Sequence, residues 1–323
     1  MNTKPQILTR REALARTGAI LGAAVAATPL LGNGAAAEAA EPAPRHNFVL
    51  SLNTATIRGQ KLGLVKEIEV AAKAGFQAIE PWVDAIEQYA NGGGSLKDIK
   101  QRVNDLGLTV ESAIGFPEWI VDDDARRAKG FERAKREMDL VAQIGGKRVA
   151  APPAGATNTP GLDLLKAAER YRALLEAGDQ IGVTPQLELW GFSKNLHLLG
   201  EVAFVAIETG HPKACIVADV FHIHKGGSDF RGLRLFSSGA LQVFHMNDFP
   251  GDPPRDRIDD SYRVFPGDGT GPISQALRDL HAGGGPTVLS LELFSKKYWE
   301  MDALEVATAG LAKMKAAVKL ALG

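Results

Sequence analysis

Between residue 46 and the C-terminus, eight short apolar runs alternate with longer stretches of helical periodicity, and this alternation constrains the fold more than any other feature. The runs cover residues 48–52, 78–81, 109–115, 148–151, 186–190, 215–220, 243–247 and 288–294. Helical patterns over 62–74, 96–106, 124–144, 163–181, 195–209 and 302–322 separate or follow them. Within the first, Leu64, Ile68, Ala71 and Ala72 recur at the spacing of one buried stripe. Glycines at 75, 107, 145, 146 and 182 stand where helices should end before the next strand. Eight strand–helix units without a Gly-x-Gly-x-x-Gly turn predict a closed (β/α)8 TIM barrel rather than a doubly wound dinucleotide-binding sheet. The composition, 45% hydrophobic and 23% charged, suits a chain that buries a sizeable core.

The N-terminus reads differently. Thr9-Arg10-Arg11 precedes a weakly apolar Gly/Ala-rich stretch over residues 17–31, with Ala35, Ala37 and Ala39 at cleavage-site spacing, which resembles a twin-arginine export signal. The expected organisation is a signal over 1–39, a Pro-containing linker over 40–45 and a catalytic barrel over 46–323, exported to the periplasm or beyond. Gly22, Pro29 and Gly32 make the apolar stretch poor material for a spanning helix, so no stable membrane span is expected after cleavage. The segment carries four basic and two acidic side chains, so its removal takes the formal charge from −1 to −3. With no run of Lys or Arg, a nucleic-acid partner is not expected. Cys215, the sole cysteine, excludes an internal disulfide and reads as a buried thiol.

In a barrel, chemistry comes from the C-terminal ends of the strands. Four late strand ends carry ionisable residues: Glu188 in Gln186-Leu187-Glu188-Leu189-Trp190, Asp219 after Cys215-Ile216-Val217-Ala218, His245 after Val243-Phe244, and Glu292 in Val288-Leu289-Ser290-Leu291-Glu292. Three carboxylates on converging apolar strands call for a compensating cation. One divalent ion held by Glu188, Asp219, His245 and Glu292 meets that need. The oxygen-rich donor set favours Mn²⁺ or Mg²⁺, with Co²⁺ and Zn²⁺ as alternatives. Individual neutralisation by Arg or Lys is the competing account. Trp82, Trp190, Phe116 and Trp119 follow or end strands and would wall a sugar ring or pack the core. Glu80 and Glu111 suit a substrate contact or a buried ion pair; Asn53 and Arg58 are weaker candidates. Asp248 is expected to orient a ligand.

The series Glu188, Asp219-x-x-His222, His245 and Glu292 resembles the xylose isomerase-like sugar isomerase and epimerase superfamily. The motifs Gly75-Phe76-Gln77-Ala78-Ile79-Glu80 and Arg263-Val264-Phe265-Pro266-Gly267-Asp268-Gly269 support the likeness over roughly residues 46–320. The resemblance implies that Glu188, Glu292, Asp219 and His245 bind one metal and that His222 and Arg263 contact substrate oxygens. The DNA-repair branch of that superfamily holds three zinc ions with further histidines. Here Ser261-Tyr262-Arg263, Glu80-Pro81-Trp82 and Gly115-Phe116 stand where those histidines would be needed.

The implied activity is metal-dependent isomerisation or epimerisation of a free sugar, keto-sugar or cyclitol through a metal-bound enediolate, with Glu188 and Glu292 as acid and base. A lyase or dehydratase acting on a keto-sugar or 3-keto-glycoside is the enzymatic alternative; an exported carbohydrate-binding barrel without turnover is the non-enzymatic one. No Gly-rich phosphate cradle is read after strands seven and eight, which favours an unphosphorylated substrate. Dimers or tetramers are frequent among proteins of this kind, so a homo-oligomer is an expectation.

Overall fold

The computed structural model describes residues 46–323; the expected export signal and linker lie outside the described residues. Eight strands, β1 (Phe48–Asn53), β2 (Ala78–Glu80), β3 (Thr109–Val110), β4 (Arg148–Ala151), β5 (Thr184–Glu188), β6 (Ile216–Asp219), β7 (Leu241–Met246) and β8 (Thr287–Leu291), form one sheet ordered β3-β2-β1-β8-β7-β6-β5-β4. Every ladder is parallel. The β1–β8 ladder, with Leu50 opposite Leu289 and Leu52 opposite Leu291, joins the first unit to the last. Between β3 and β4, Ala113 donates to the Arg148 carbonyl (3.1 Å) and accepts from the Ala150 N–H (2.8 Å). These contacts curl the sheet into a (β/α)8 barrel.

The helices are α1 (Leu64–Ala74), α2 (Val83–Asn91), α3 (Leu96–Asp105), α4 (Asp124–Gln143), α5 (Leu164–Ile181), α6 (Leu199–Glu208), α7 (Val220–Gly226), α8 (Ile273–Ala282), α9 (Lys296–Trp299) and α10 (Ala303–Leu322). In α1 the spacing of Leu64, Ile68 and Ala71 delivers one buried face, as its sequence predicts. Gly75 and Gly182 end α1 and α5 in the left-handed region, φ 91° and 90°, where a Cβ would be strained. Asp123, Asp163 and Asp302 cap α4, α5 and α10 through side-chain acceptance of backbone N–H groups. No helix among the described residues is long and apolar enough to cross a membrane.

Two departures from the expected elements have local causes. The run 109–115 yields only a two-residue ladder, because the alternation of donors would next require the N–H of residue 81, which is Pro81. The Glu111 carbonyl accepts from Arg148 instead (3.1 Å). Helices α2, α7, α8 and α9 lie outside the predicted patterns; α7 begins directly at the end of β6, with Asp219 as its N-cap.

Side chains alternate along the strands. Val49, Val217, Val243 and Val288 form a separate small apolar cluster, and the residues two positions on from Val217, Val243 and the Ser51 and Ser290 layer are Asp219, His245, Asn53 and Glu292. Period-two alternation thus lifts a polar set to the C-terminal mouth above an apolar layer.

Candidate metal centre

Asp219, His245 and Glu292 each present a ligand atom, and the three atoms lie within 4.8 Å of one another, the one such group among the described residues. Each arises from the strand periodicity: Asp219 ends β6, His245 is the penultimate residue of β7 and Glu292 directly follows β8, its N–H bonded to the Met246 carbonyl (3.1 Å). Asp219 has two assignments. Its Oδ1 accepts the His222 N–H (2.8 Å), capping α7, while Oδ2 accepts from Asn247 Nδ2 and Arg263 Nη1, both at 2.8 Å. The Asp219-x-x-His222 spacing is therefore the first turn of α7.

His245 is fully buried between carboxylates. Its Nδ1 lies 3.3 Å from Glu292 Oε2 and 3.8 Å from Asp219 Oδ2, and its Nε2 lies 3.1 Å from Glu80 Oε2. Neither nitrogen is aligned for a hydrogen bond. Burial opposes the imidazolium, but Glu292 and Glu80 outweigh it and raise the His245 pKa well above the ordinary histidine value. Glu80, expected at the substrate, takes the position of a carboxylate that orients a ligand histidine. Asn53 Nδ2 (2.9 Å) and Ser290 Oγ (2.7 Å) donate to its Oε2, whereas Oε1 has no partner.

Glu188 stands outside the three-residue group, yet it is buried and its Oε2 has no partner. Burial, reinforced by the Glu292 and Asp219 charges and opposed by His245, pushes its pKa up to about 8. Glu292 is held differently, with Oε1 accepting from Asn53 Nδ2 (3.1 Å) and Oε2 from Arg263 Nη1 (2.9 Å). Two glutamates that look alike in the sequence thus have opposite environments.

Arg263 requires a correction. Expected to face a substrate oxygen from a loop, it is fully buried and its five N–H donors are all engaged by the protein. Nη1 serves Asp219 and Glu292, Nε and Nη2 serve Asp260 (3.0 and 2.6 Å), and Nη2 meets His222 Nε2 (3.2 Å). The guanidinium also lies over the Phe221 and Phe294 rings, at 4.9 and 5.0 Å. Since Arg263 can only donate, His222 Nε2 accepts, and the imidazole proton sits on Nδ1, a buried donor without a partner. Burial lowers the His222 pKa and keeps the ring neutral.

Around these groups the rings of Phe294, Trp82, Phe116, Trp190, Phe192 and His222 follow one another at centroid separations of 5.0–6.0 Å. Trp119, the remaining wall candidate, is instead core, tilted against Tyr171 with its indole N–H donating to the Pro152 carbonyl. Glu111 is an ion-pair residue, held by Lys147 (2.5 Å) and Arg148 (3.0 Å). Lys225 caps the carbonyls of Arg255 and Asp256, and His224 stacks on Phe249. Asp248 does not orient a ligand: it accepts the N–H groups of Phe249, Gly267, Gly269 and Gly271. A glycine cradle thus does follow β7, contrary to expectation, and Asp248 fills it. Asn247, a site residue the sequence reading passed over, follows from the same alternation as Val243 and His245; Asp260 gave no sequence signal beyond its i,i+3 spacing to Arg263.

The donor chemistry suits a divalent ion. Two carboxylates and an imidazole converge, and His245 and Glu188 present buried atoms that no protein group satisfies. Residues 68–317 match the family model described as xylose isomerase-like TIM barrel. The chain belongs to the xylose isomerase-like TIM barrel family. Within it, an inosose isomerase of Bacillus velezensis is 26% identical over 79% of this chain and 92% of its own length. A 3-dehydroshikimate dehydratase of Pseudomonas putida is 24% identical over 81% of this chain, which spans only 40% of that protein. A crystal structure of the IolI protein with a zinc atom superimposes with a TM-score of 0.77 at 21% identity, covering 84% of this chain and 98% of that one.

Proposed function

We propose that this family member is a metal-dependent isomerase or epimerase of a free sugar, keto-sugar or cyclitol. The observation that carries the reading is the convergence of Asp219, His245 and Glu292 beside the isolated, buried carboxyl of Glu188. Asp219, His245 and Glu292 would hold the ion, with Glu188 as the fourth ligand expected from the family resemblance. When bound, a divalent cation supplies the Lewis acidity that makes removal of a proton next to a carbonyl accessible near neutral pH. Mn²⁺ and Mg²⁺ fit the oxygen-rich set, and the zinc of the IolI structure keeps Zn²⁺ among the candidates.

The chain's own groups divide the remaining work. Glu188, whose buried Oε2 has no protein partner, is the carboxylate left to exchange a proton with substrate carbon or oxygen. Glu292, fixed by Asn53 and Arg263, stays a carboxylate and takes the anchoring role. His222 Nδ1–H donates to a substrate hydroxyl, and the Trp82, Phe116 and Trp190 rings cover the apolar face of the sugar while excluding water. The inosose isomerase and the dehydratase among the relatives support two outcomes from one deprotonation: carbonyl migration, or elimination where a leaving group sits beyond the acidic carbon. The sequence also supports export by the twin-arginine route, to be checked by N-terminal sequencing of secreted protein.

Solvent-deuterium exchange tests the reading. Metal-loaded protein should wash deuterium into one carbon of a ketose or inosose, and Glu188→Gln should slow this at least a hundredfold while retaining metal. Exchange unaffected by Glu188→Gln would remove Glu188 from proton transfer; no exchange into any ketose, inosose or keto-glycoside would refute the activity.

A further inference from the structure

Beside the mouth, a second concavity of about 460 Å³ lies between the 3-10 turn Thr54–Gln60, the start of α1 and one side of α2. Its size falls in the range of small-molecule sites, about 300–1,000 Å³. It adjoins the metal centre through two residues. Thr54, in its lining, follows Asn53, which donates to both Glu80 and Glu292. Trp82, also in the lining, donates its indole N–H to Asn53 Oδ1 (3.1 Å) and belongs to the aromatic ring series of the mouth. Trp82 is therefore shared between the two spaces.

The cavity contains a group whose burial the fold does not explain. Glu67 projects from the first turn of α1 into the lining, is only 6% exposed, and its Oε2 has no hydrogen-bond partner. An unpartnered buried carboxyl costs stability with no structural return. Burial, with a further push from Asp84 and partial relief from Arg58, raises its pKa to about 7, so near neutrality Glu67 both donates and accepts.

The neighbouring chemistry narrows the ligand. Arg58 and Asp84 pair at 2.6 Å and cancel each other's charge, while Arg58 also covers the Trp82 ring at 4.1 Å. The Gln88 amide offers a donor and an acceptor, and Trp82 and Tyr89 offer flat apolar faces. Mixed donors and acceptors beside aromatic rings, with Lys61 the one lining cation outside an ion pair among the described residues, match a neutral polyhydroxylated ring. An apolar group would leave Glu67 unsatisfied.

We propose that this cavity is a second sugar subsite, so that the substrate carries a glycosyl unit that docks between Glu67, Gln88 and Trp82 while its reacting ring occupies the mouth. The inference rests on the sugar reading of the mouth. Isothermal titration of the full chain with Mn²⁺, using glucose, cellobiose and trehalose as probes, tests it at pH 7. At least one disaccharide should bind with a Kd tenfold or more below that of glucose. Ala85→Trp, which fills the cavity, should abolish that advantage and leave the glucose Kd within twofold. Gln88→Leu, at an exposed position that folding tolerates, should reduce the advantage several-fold. Equal affinity for the three sugars, or an advantage that persists in both variants, overturns the subsite and leaves the mouth reading standing. Failure of all three sugars to bind also overturns it, whereas deuterium exchange decides the mouth reading separately.

Discussion

Arg263→Met tests the electrostatic design of the site. Methionine retains much of the volume beside Phe221 and Phe294, so the loss is confined to charge and hydrogen bonds. In the wild type, Asp219, Glu292 and Asp260 all lean on this one guanidinium. Asp219 and Glu292 keep only Asn247 and Asn53 as further side-chain donors. Removing one member of a fully buried pair costs about 3–5 kcal/mol, because the remaining charge is left without compensation. Spread over a urea slope of about 3 kcal/mol/M, that becomes a fall of about 1–2 M in the unfolding midpoint, read from tryptophan fluorescence. Arg263→Lys should recover part of the loss, since an ammonium cannot reach both the Asp219–Glu292 side and Asp260 with five fixed donors. Millimolar Mn²⁺ should rescue Arg263→Met more than it stabilises the wild type, since a second cation there would compensate the same carboxylates. A destabilisation under about 1 kcal/mol, with lysine and methionine equivalent, would refute the reasoning that these carboxylates depend on a nearby cation.

Glu67 makes a pH prediction of defined sign. Its pKa in the folded chain, about 7, exceeds the ordinary 4.5, so between these values the folded protein retains a proton that the unfolded chain has released, and stability falls as pH rises. The shift corresponds to roughly 3 kcal/mol; Glu67→Gln should match wild type at pH 4 and exceed it by up to that amount at pH 8, and parallel pH curves in urea denaturation would contradict the buried neutral carboxyl. Mn²⁺ or Zn²⁺ at a hundredfold excess over Kd should add about 2.7 kcal/mol to stability, visible as a rise in Tm that EDTA reverses and His245→Ala eliminates; an equal rise in that variant would place the ion elsewhere. Gly310 packs α10 against β8, and an added Cβ would strike Leu291 Cδ2 and crowd Phe265 Cε1 at 3.1 Å. Gly310→Ala should therefore cost about 1–2 kcal/mol despite alanine's better helix propensity, and a stabilised variant in thermal melts would show that this contact relaxes freely.

The fold was legible because barrel strands announce themselves twice, by apolar runs and by the period-two rise of polar residues at their ends. Glu188, Asp219, His245 and Glu292 were found that way, and the structure places Asp219, His245 and Glu292 together. Arg263 is not legible in the sequence, because nothing in a loop tells which guanidinium folds inward; its burial depends on Asp260 and on carboxylates 29 and 44 residues away. Glu80 and Glu111, equivalent as strand acids, separate only when cross-barrel neighbours appear, His245 for one and Lys147 with Arg148 for the other. Helix α7 was concealed because Asp219 is at once strand end and helix cap, so no linker marks the boundary.

Asp248 occupies a backbone cradle that would otherwise suit an anion. The three glycine N–H groups it binds follow the strand after which barrels of this architecture commonly seat a phosphate. An outside anion at this cradle would have to displace a carboxylate that is covalently tethered to the chain and never diffuses away. Cutting Asp248 back to alanine would free three glycine N–H groups for solvent or an outside anion, without removing Asp219, His245 or Glu292.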